Sequence, residues 1–102
     1  MERWYPDKIV AGSIDDYLPI LSDPACTSGL IEGLGQLFAD VDRSQLKFAE
    51  FGVWKGATTG QLARFLGNKG ELHLFDYEDT VCQLKDKLVK ANFTNITAWG
   101  SS

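Results

Sequence analysis

The sequence predicts an α/β fold. The expectation is a partial, Rossmann-like parallel sheet of about three strands with flanking helices, preceded by an N-terminal helical segment. Three observations lead there. From Leu46 onward, short apolar runs alternate with helical periodicity in the order strand, helix, strand, helix, strand, and such alternation favours a parallel sheet with right-handed crossovers. The first strand runs into a glycine-rich stretch and the second ends on an acid, Asp76. Before Leu46 there is one amphipathic stripe of helical period and no strand pattern. The expected division is therefore residues 1–45, a helical or lid segment, and residues 46–102, the first half of a Rossmann-like domain.

The elements follow in order. Trp4, Tyr5, Ile9 and Val10 are apolar but irregularly spaced. Asp23-Pro24 has the form of a helix start, with Asp as N-cap and Pro in the first turn. Leu30, Leu34, Leu37, Phe38 and Val41 then fall on one helical stripe. Gly29, Gly33 and Gly35 interrupt it and suggest faces where another backbone comes close. Leu46 to Gly52 reads as the first strand, Val53 to Thr59 as a loop of small residues, and Gln61 to Leu66 as a helix ending on a left-handed cap at Gly67-Asn68. Glu71 to Phe75 reads as the second strand, closing at Asp76. Val81, Leu84, Leu88 and Ala91 form the apolar face of the next helix, with Asp79 or Thr80 as its cap. Lys85, Asp86, Lys87 and Lys90 form its wet face. Asn95 to Trp99 reads as the third strand.

Composition narrows the function. The chain has 102 residues, 44% of them hydrophobic and 24% charged, as in an ordinary globular domain. Its formal charge is −4 and no stretch is strongly basic, which argues against non-specific nucleic-acid binding, since that needs clustered cations to displace counterions. No apolar run approaches the roughly 20 residues that span a bilayer. Met1 to Val10 lacks the apolar core of a signal peptide, so no membrane partner and a cytoplasmic location are expected. Cys26 and Cys82 fit no metal-binding spacing. They are expected as reduced, mostly buried thiols, and no metal site is expected.

The chemistry concentrates at two strand ends. Open α/β sheets bind ligands at the carboxyl ends of their strands. The first ends in Glu50-Phe-Gly52-Val-Trp-Lys-Gly56-Ala-Thr58-Thr-Gly60, where glycines let a ligand approach the backbone and the next helix offers free N–H groups. Asp76 stands roughly twenty residues beyond, where an acid accepts hydrogen bonds from ribose hydroxyls. Together these make a nucleoside-binding arrangement. The G-x-G-x-x-G dinucleotide fingerprint is absent, because Val53 and Trp54 follow Gly52, and so is the G-K-[ST] ending of a P-loop.

What stands instead is E-x-G-x-x-x-G-x-T. Glu50-Phe-Gly-Val-Trp-Lys-Gly-Ala-Thr58 resembles the first motif of the class I S-adenosylmethionine-dependent methyltransferase superfamily, in particular of the macrocin-type O-methyltransferases. Leu74-Phe75-Asp76 resembles the second motif and Ile96-Thr-Ala-Trp-Gly100-Ser101 the third. The resemblance covers about residues 46–102. It implies S-adenosylmethionine as cofactor and a small-molecule or sugar hydroxyl as methyl acceptor. It also implies a cofactor site made of Glu50, Gly52, Val53, Trp54, Gly56, Thr58, Asp76, Tyr77, Gly100 and Ser101. In that scheme Glu50 holds the loop near the methionine amino group, and Gly52 and Gly56 line the methionine and ribose. Asp76 binds the ribose hydroxyls, Tyr77 lies beside the adenine, and Gly100 and Ser101 approach its edge. Trp54 stands where glycine is more usual, although the macrocin-type pattern accepts an aromatic. Ser101 stands where an acid is common.

Plainer readings stay open beside these. Glu50 can be a solvated charge, Gly52 and Gly56 can serve a tight turn, and Asp76 can cap the next helix. Tyr77 and Lys55 can be surface residues, Trp54 can plug the fold, and His73 can be a packed or half-exposed strand residue. Asp15 and Asp16 read as a solvated acidic turn, or as part of a lid. The family places catalytic acids and any metal ligands beyond the fourth strand, so no catalytic residue is assigned. The expectation is a truncated or split enzyme, whose unpaired third-strand edge would drive formation of a homodimer or association with a complementing chain. A non-catalytic nucleoside-binding or interaction module is the alternative.

Overall fold

The computed structural model describes residues 13–101; Trp4, Tyr5, Ile9 and Val10 lie outside them. Strands β1 (Lys47–Phe51), β2 (Glu71–Tyr77) and β3 (Ile96–Ser101) form one parallel sheet in the order β1-β2-β3. Helix α1 (Gly29–Leu37) precedes the sheet, α2 (Ala57–Leu66) connects β1 to β2, and α3 (Glu78–Lys90) connects β2 to β3. Three short 3-10 turns, Ile14–Asp16, Leu18–Ile20 and Arg43–Gln45, complete the chain order. The α/β class, the parallel sheet and the preceding helical segment are those expected from the sequence. No helix among the described residues is long and apolar enough to cross a membrane.

Both crossovers step in the same direction across the sheet. Because such connections are right-handed, α2 and α3 lie on one face. Strand residues alternate between faces, and the helix-covered set is sealed: Leu72 and Leu74 are fully buried and Ile96 nearly so, against Phe65 and Leu66 of α2 and Val81, Leu84 and Leu88 of α3. Phe48 of β1 stacks on Phe65, with ring centroids 6.0 Å apart, and Phe38 after α1 lies 5.8 Å from Phe48. That aromatic cluster docks the helical segment onto the sheet.

Several boundaries differ from expectation for identifiable reasons. Asp23-Pro24 forms a turn, in which the Asp23 carboxylate accepts from Ala25 N–H. The α1 helix starts five residues later, on Ser28. Its hydroxyl accepts from Ile31 N–H at 3.1 Å and donates to Gln61 Oε1 at 2.7 Å, so a contact with α2 selects this cap. The apolar stripe is shorter than read: Leu37 is 73% exposed and Val41 is also exposed, while Ile31, Leu34 and Phe38 make the contact. Nothing lies within 4 Å of a side chain placed at Gly33 or Gly35, so neither marks a close backbone approach. The α2 helix begins at Ala57, four residues before Gln61, and ends as expected on left-handed Gly67 and Asn68. The α3 helix begins at Glu78 with Tyr77 as N-cap, which places Asp79 and Thr80 inside the first turn rather than at the cap. There Glu78 and Asp79 face the positive end of the helix dipole. β3 runs from Ile96 to Ser101, leaving Asn95 outside it. Cys26 is buried as expected, and burial pushes its thiol pKa up; Cys82 is exposed.

Candidate functional site

The parallel register sets the site. Phe51 pairs with Phe75, so the ends of β1 and β2 are neighbours. Gly52 N–H then continues the ladder by donating to Phe75 O at 2.8 Å. Beyond it the chain turns sharply. Gly52, Trp54 and Gly56 have φ of 76°, 49° and 81°, three left-handed residues within five. Gly52 suits that conformation, and among the described residues nothing beyond its chain neighbours lies within 4 Å of a side chain built there. Gly56 is different. A side chain on it would run into Leu84 at 2.4 Å and crowd Ile14 at 3.3 Å, so this glycine serves the turn and the packing beneath it. Trp54 holds a bulky, 68% exposed side chain in a backbone region that costs about 1–2 kcal/mol for a residue with a Cβ. The Lys55 ammonium sits 5.0 Å over its ring.

Asp76 meets this loop from β2. Its carboxylate accepts from Trp54 N–H at 3.2 Å and from Tyr77 N–H at 2.7 Å. These amides and that of Val53 hold its pKa below the usual carboxylate range, with the Tyr77 contact largest. Asp76 therefore anchors the loop, and β2 runs one residue past it to Tyr77, which pairs with Ser101, rather than closing at Asp76. A carboxylate offers about four acceptor positions, which leaves capacity for hydroxyl donors from a ligand. Glu50, on the covered side of β1, is half-buried and accepts from the Thr59 hydroxyl at 2.6 Å. Burial raises its pKa, and the Thr59 hydrogen bond opposes that only in part. It is not a solvated charge.

The remaining expected residues fall into place unevenly. Val53 is buried with its side chain in the core, so it can reach a ligand only through its backbone. Thr58 is exposed in the first turn of α2. A cavity of about 150 Å³ is lined by Glu50, Gly52, Trp54, Gly56 and Thr58 among others. Tyr77 and Ser101, paired in register, line a separate space of about 360 Å³ with Glu78 and Asp79. Gly100 pairs with Asp76, and a side chain on it would meet the Glu78 Cα at 2.5 Å; its place in the fold is a close strand-to-helix contact. A further cavity of about 350 Å³, near Arg64, Asn68 and Asn92, lies at the C-terminal ends of the helices, remote from this edge.

Residues outside the expected set also build the site. Thr59 fixes Glu50, and no linear signal marks it. Ile14 N–H donates to Lys55 O at 3.0 Å, and Asp15 pairs with Lys87 of α3 at 2.9 Å. Asp15 is thus a tie between the first 3-10 turn and α3, and Lys87 belongs only partly to the wet face. The turn lies against the glycine loop, and a space of about 330 Å³ remains between Trp54, Lys55 and α3. With Glu50, Asp76, Glu78 and Asp79 around it, the edge is acidic. Like charges repel, so this edge disfavours an added anion more than a cation, with Lys55 the cation that lines the loop cavity. Comparison with models of known protein families, with curated proteins and with solved structures found no match.

Proposed function

We propose that this chain is the cofactor-holding half of a class I S-adenosylmethionine-dependent methyltransferase, with a small-molecule or sugar hydroxyl as the methyl acceptor. One observation carries the reading. The end of β1 offers an open, left-handed Gly52 over a half-buried Glu50, and the end of β2 sets the Asp76 carboxylate beside it. The residues fit the group. Gly52 admits a ligand against the backbone, Asp76 keeps acceptor capacity for ribose hydroxyls, and the acidic edge favours a cationic nucleoside. Tyr77 and Ser101, the residues that the resemblance puts beside the adenine, line one space at the ends of β2 and β3. The cofactor, when bound, supplies a methyl group on a positively charged sulfur. What the chain's own residues do is hold and orient it, and positioning of reactants is a large part of what a transferase contributes.

A second reading has its own support. Gly56 and Gly100 are accounted for by packing and Asp76 by the loop it anchors, as in a nucleoside-binding or interaction module that keeps the fold without turnover. Calorimetric titration with S-adenosylhomocysteine tests both. Saturable binding is expected, weakened about ten- to hundredfold in Asp76→Ala, the loss expected for hydrogen bonds to a charged acceptor. Absence of binding to a chain with native circular dichroism would overturn the cofactor reading. Binding without methyl transfer to any hydroxyl acceptor would favour the module.

A further inference from the structure

Among the described residues, no element covers the sheet face turned away from α2 and α3. Phe51, Tyr77 and Trp99 on it are 75%, 69% and 52% exposed. It is nevertheless ordered along a fixed pattern. At the carboxyl end Phe51 stacks on Phe75 at 4.5 Å, and Phe75 on Trp99 at 6.1 Å. Trp99 Nε1–H donates to His73 Nδ1 at 2.9 Å. An indole N–H can only donate, so His73 carries its proton on Nε2 and donates it to Glu71 Oε1, also at 2.9 Å. Lys47 Nζ lies 3.7 Å from Glu71 Oε2 at the amino end.

We infer that this face is a homodimer interface, with the twofold axis running along the strands between β1 and β2. The strand register carries the argument. Lys47 pairs with Glu71, Ala49 with His73 and Phe51 with Phe75. Rotation about that axis lays each β1 residue over the β2 residue of its own register in the second copy. Lys47 then faces the partner's Glu71, Ala49 faces the partner's His73, and Phe51 faces the partner's Phe75, each contact occurring twice. Opposite charges meet, a small side chain meets a large one, and aromatic meets aromatic. An axis over β2 would instead set the two Glu71 carboxylates against each other, and an axis across the strands would set the charged end on the aromatic end. Sheets pack face to face about 10 Å apart with strands roughly 30° from parallel, which this arrangement permits.

The area predicts a modest affinity. Aromatic side chains bury about 150–250 Å² each, and Phe51 and Phe75, the two that this axis covers in each copy while β3 and Trp99 lie beyond the overlap, fall short of the roughly 800 Å² per partner of a standard interface. The dimer should therefore dissociate on dilution. Sedimentation equilibrium of the full chain tests this, with a thiol reductant present because Cys82 is exposed. The expected result is a monomer–dimer equilibrium weakened about tenfold or more by Phe51→Asp, as for an interface anchor. Lys47→Glu and Glu71→Lys should each weaken it, and the double reversal should restore it. A folded monomer at every concentration would overturn the inference, as would a dimer indifferent to Phe51→Asp. So would single reversals that the double variant does not rescue, or a face that is covered only when a different chain is added.

Discussion

Leu72, Leu74 and Ile96 on one side of the sheet are sealed, while Phe75 and Trp99, their neighbours along β2 and β3, face outward together with Phe51 of β1. Both sets are apolar, as strands of a parallel sheet usually are on both faces. Their fates differ because both crossovers step the same way and share one hand, which sends both helices to the same side. The difference teaches that strand alternation says which residues share a face, and connection handedness says which face is covered.

The largest expected effect tests that difference directly. Leu74→Ala should cost about 2–5 kcal/mol in urea unfolding, the usual loss for a sealed core leucine. Phe75→Ala, one residue along, should cost about 1 kcal/mol, on the scale of its ring contacts, at concentrations where the chain is monomeric. Equal costs would mean that the outer face is buried after all.

Two glutamates sharpen the contrast through pH. Glu50 on the covered side has its pKa raised by burial, so its ionisation destabilises the fold as pH climbs from the ordinary carboxylate value to the raised one. Glu71 on the open side has its pKa lowered by the His73 hydrogen bond first and by Lys47 second. Its stabilisation is present above the ordinary carboxylate value and is lost as pH falls through the lowered one. Glu50→Gln should thus gain stability at neutral pH, a gain that shrinks on acidification, whereas Glu71→Gln should lose stability at neutral pH and converge with the wild type in acid. Urea midpoints across a pH series give both signs, and the same sign for the two would break the comparison.

The smallest effect belongs to the rim where the faces meet. Trp54→Gly removes a Cβ from a left-handed backbone, a relief of about 1–2 kcal/mol, against a glycine entropy cost of about 0.5–1 kcal/mol. A net gain of about 0.5 kcal/mol in thermal or urea unfolding is expected. A net loss would mean that the indole contributes packing through Lys55 that outweighs the strain.

Much of the second part was legible residue by residue. The three strands fall within two residues of their sequence reading, because short apolar runs flanked by glycine and asparagine leave few alternatives. The start of α2 is hidden because Ala57-Thr58-Thr59 falls within the small-residue stretch Val53 to Thr59 that reads as a loop. Thr59 is buried in the helix with its hydroxyl given to Glu50, a partner supplied by β1. Residue type alone does not locate the start of α1, because Asp23 and Ser28 are both good caps and only the Gln61 contact separates them. At the candidate site, spacing places Glu50, Gly52 and Asp76 at the ends of β1 and β2, but not the hydrogen bond from Trp54 N–H to Asp76 or the packing beneath Gly56.

By itself, then, the sequence determined the α/β class, the strand order along the chain and the two strand ends at which the glycine loop and Asp76 lie. These rest on periodicity, turn chemistry and residue type, which act over a few neighbouring positions. Only the tertiary structure decided which face the helices cover, which polar groups Glu50, Asp15 and Ser28 meet, and why Gly56 and Gly100 cannot carry side chains. Those outcomes depend on contacts between residues distant in the chain, whose geometry exists only once the crossovers have folded back onto the sheet.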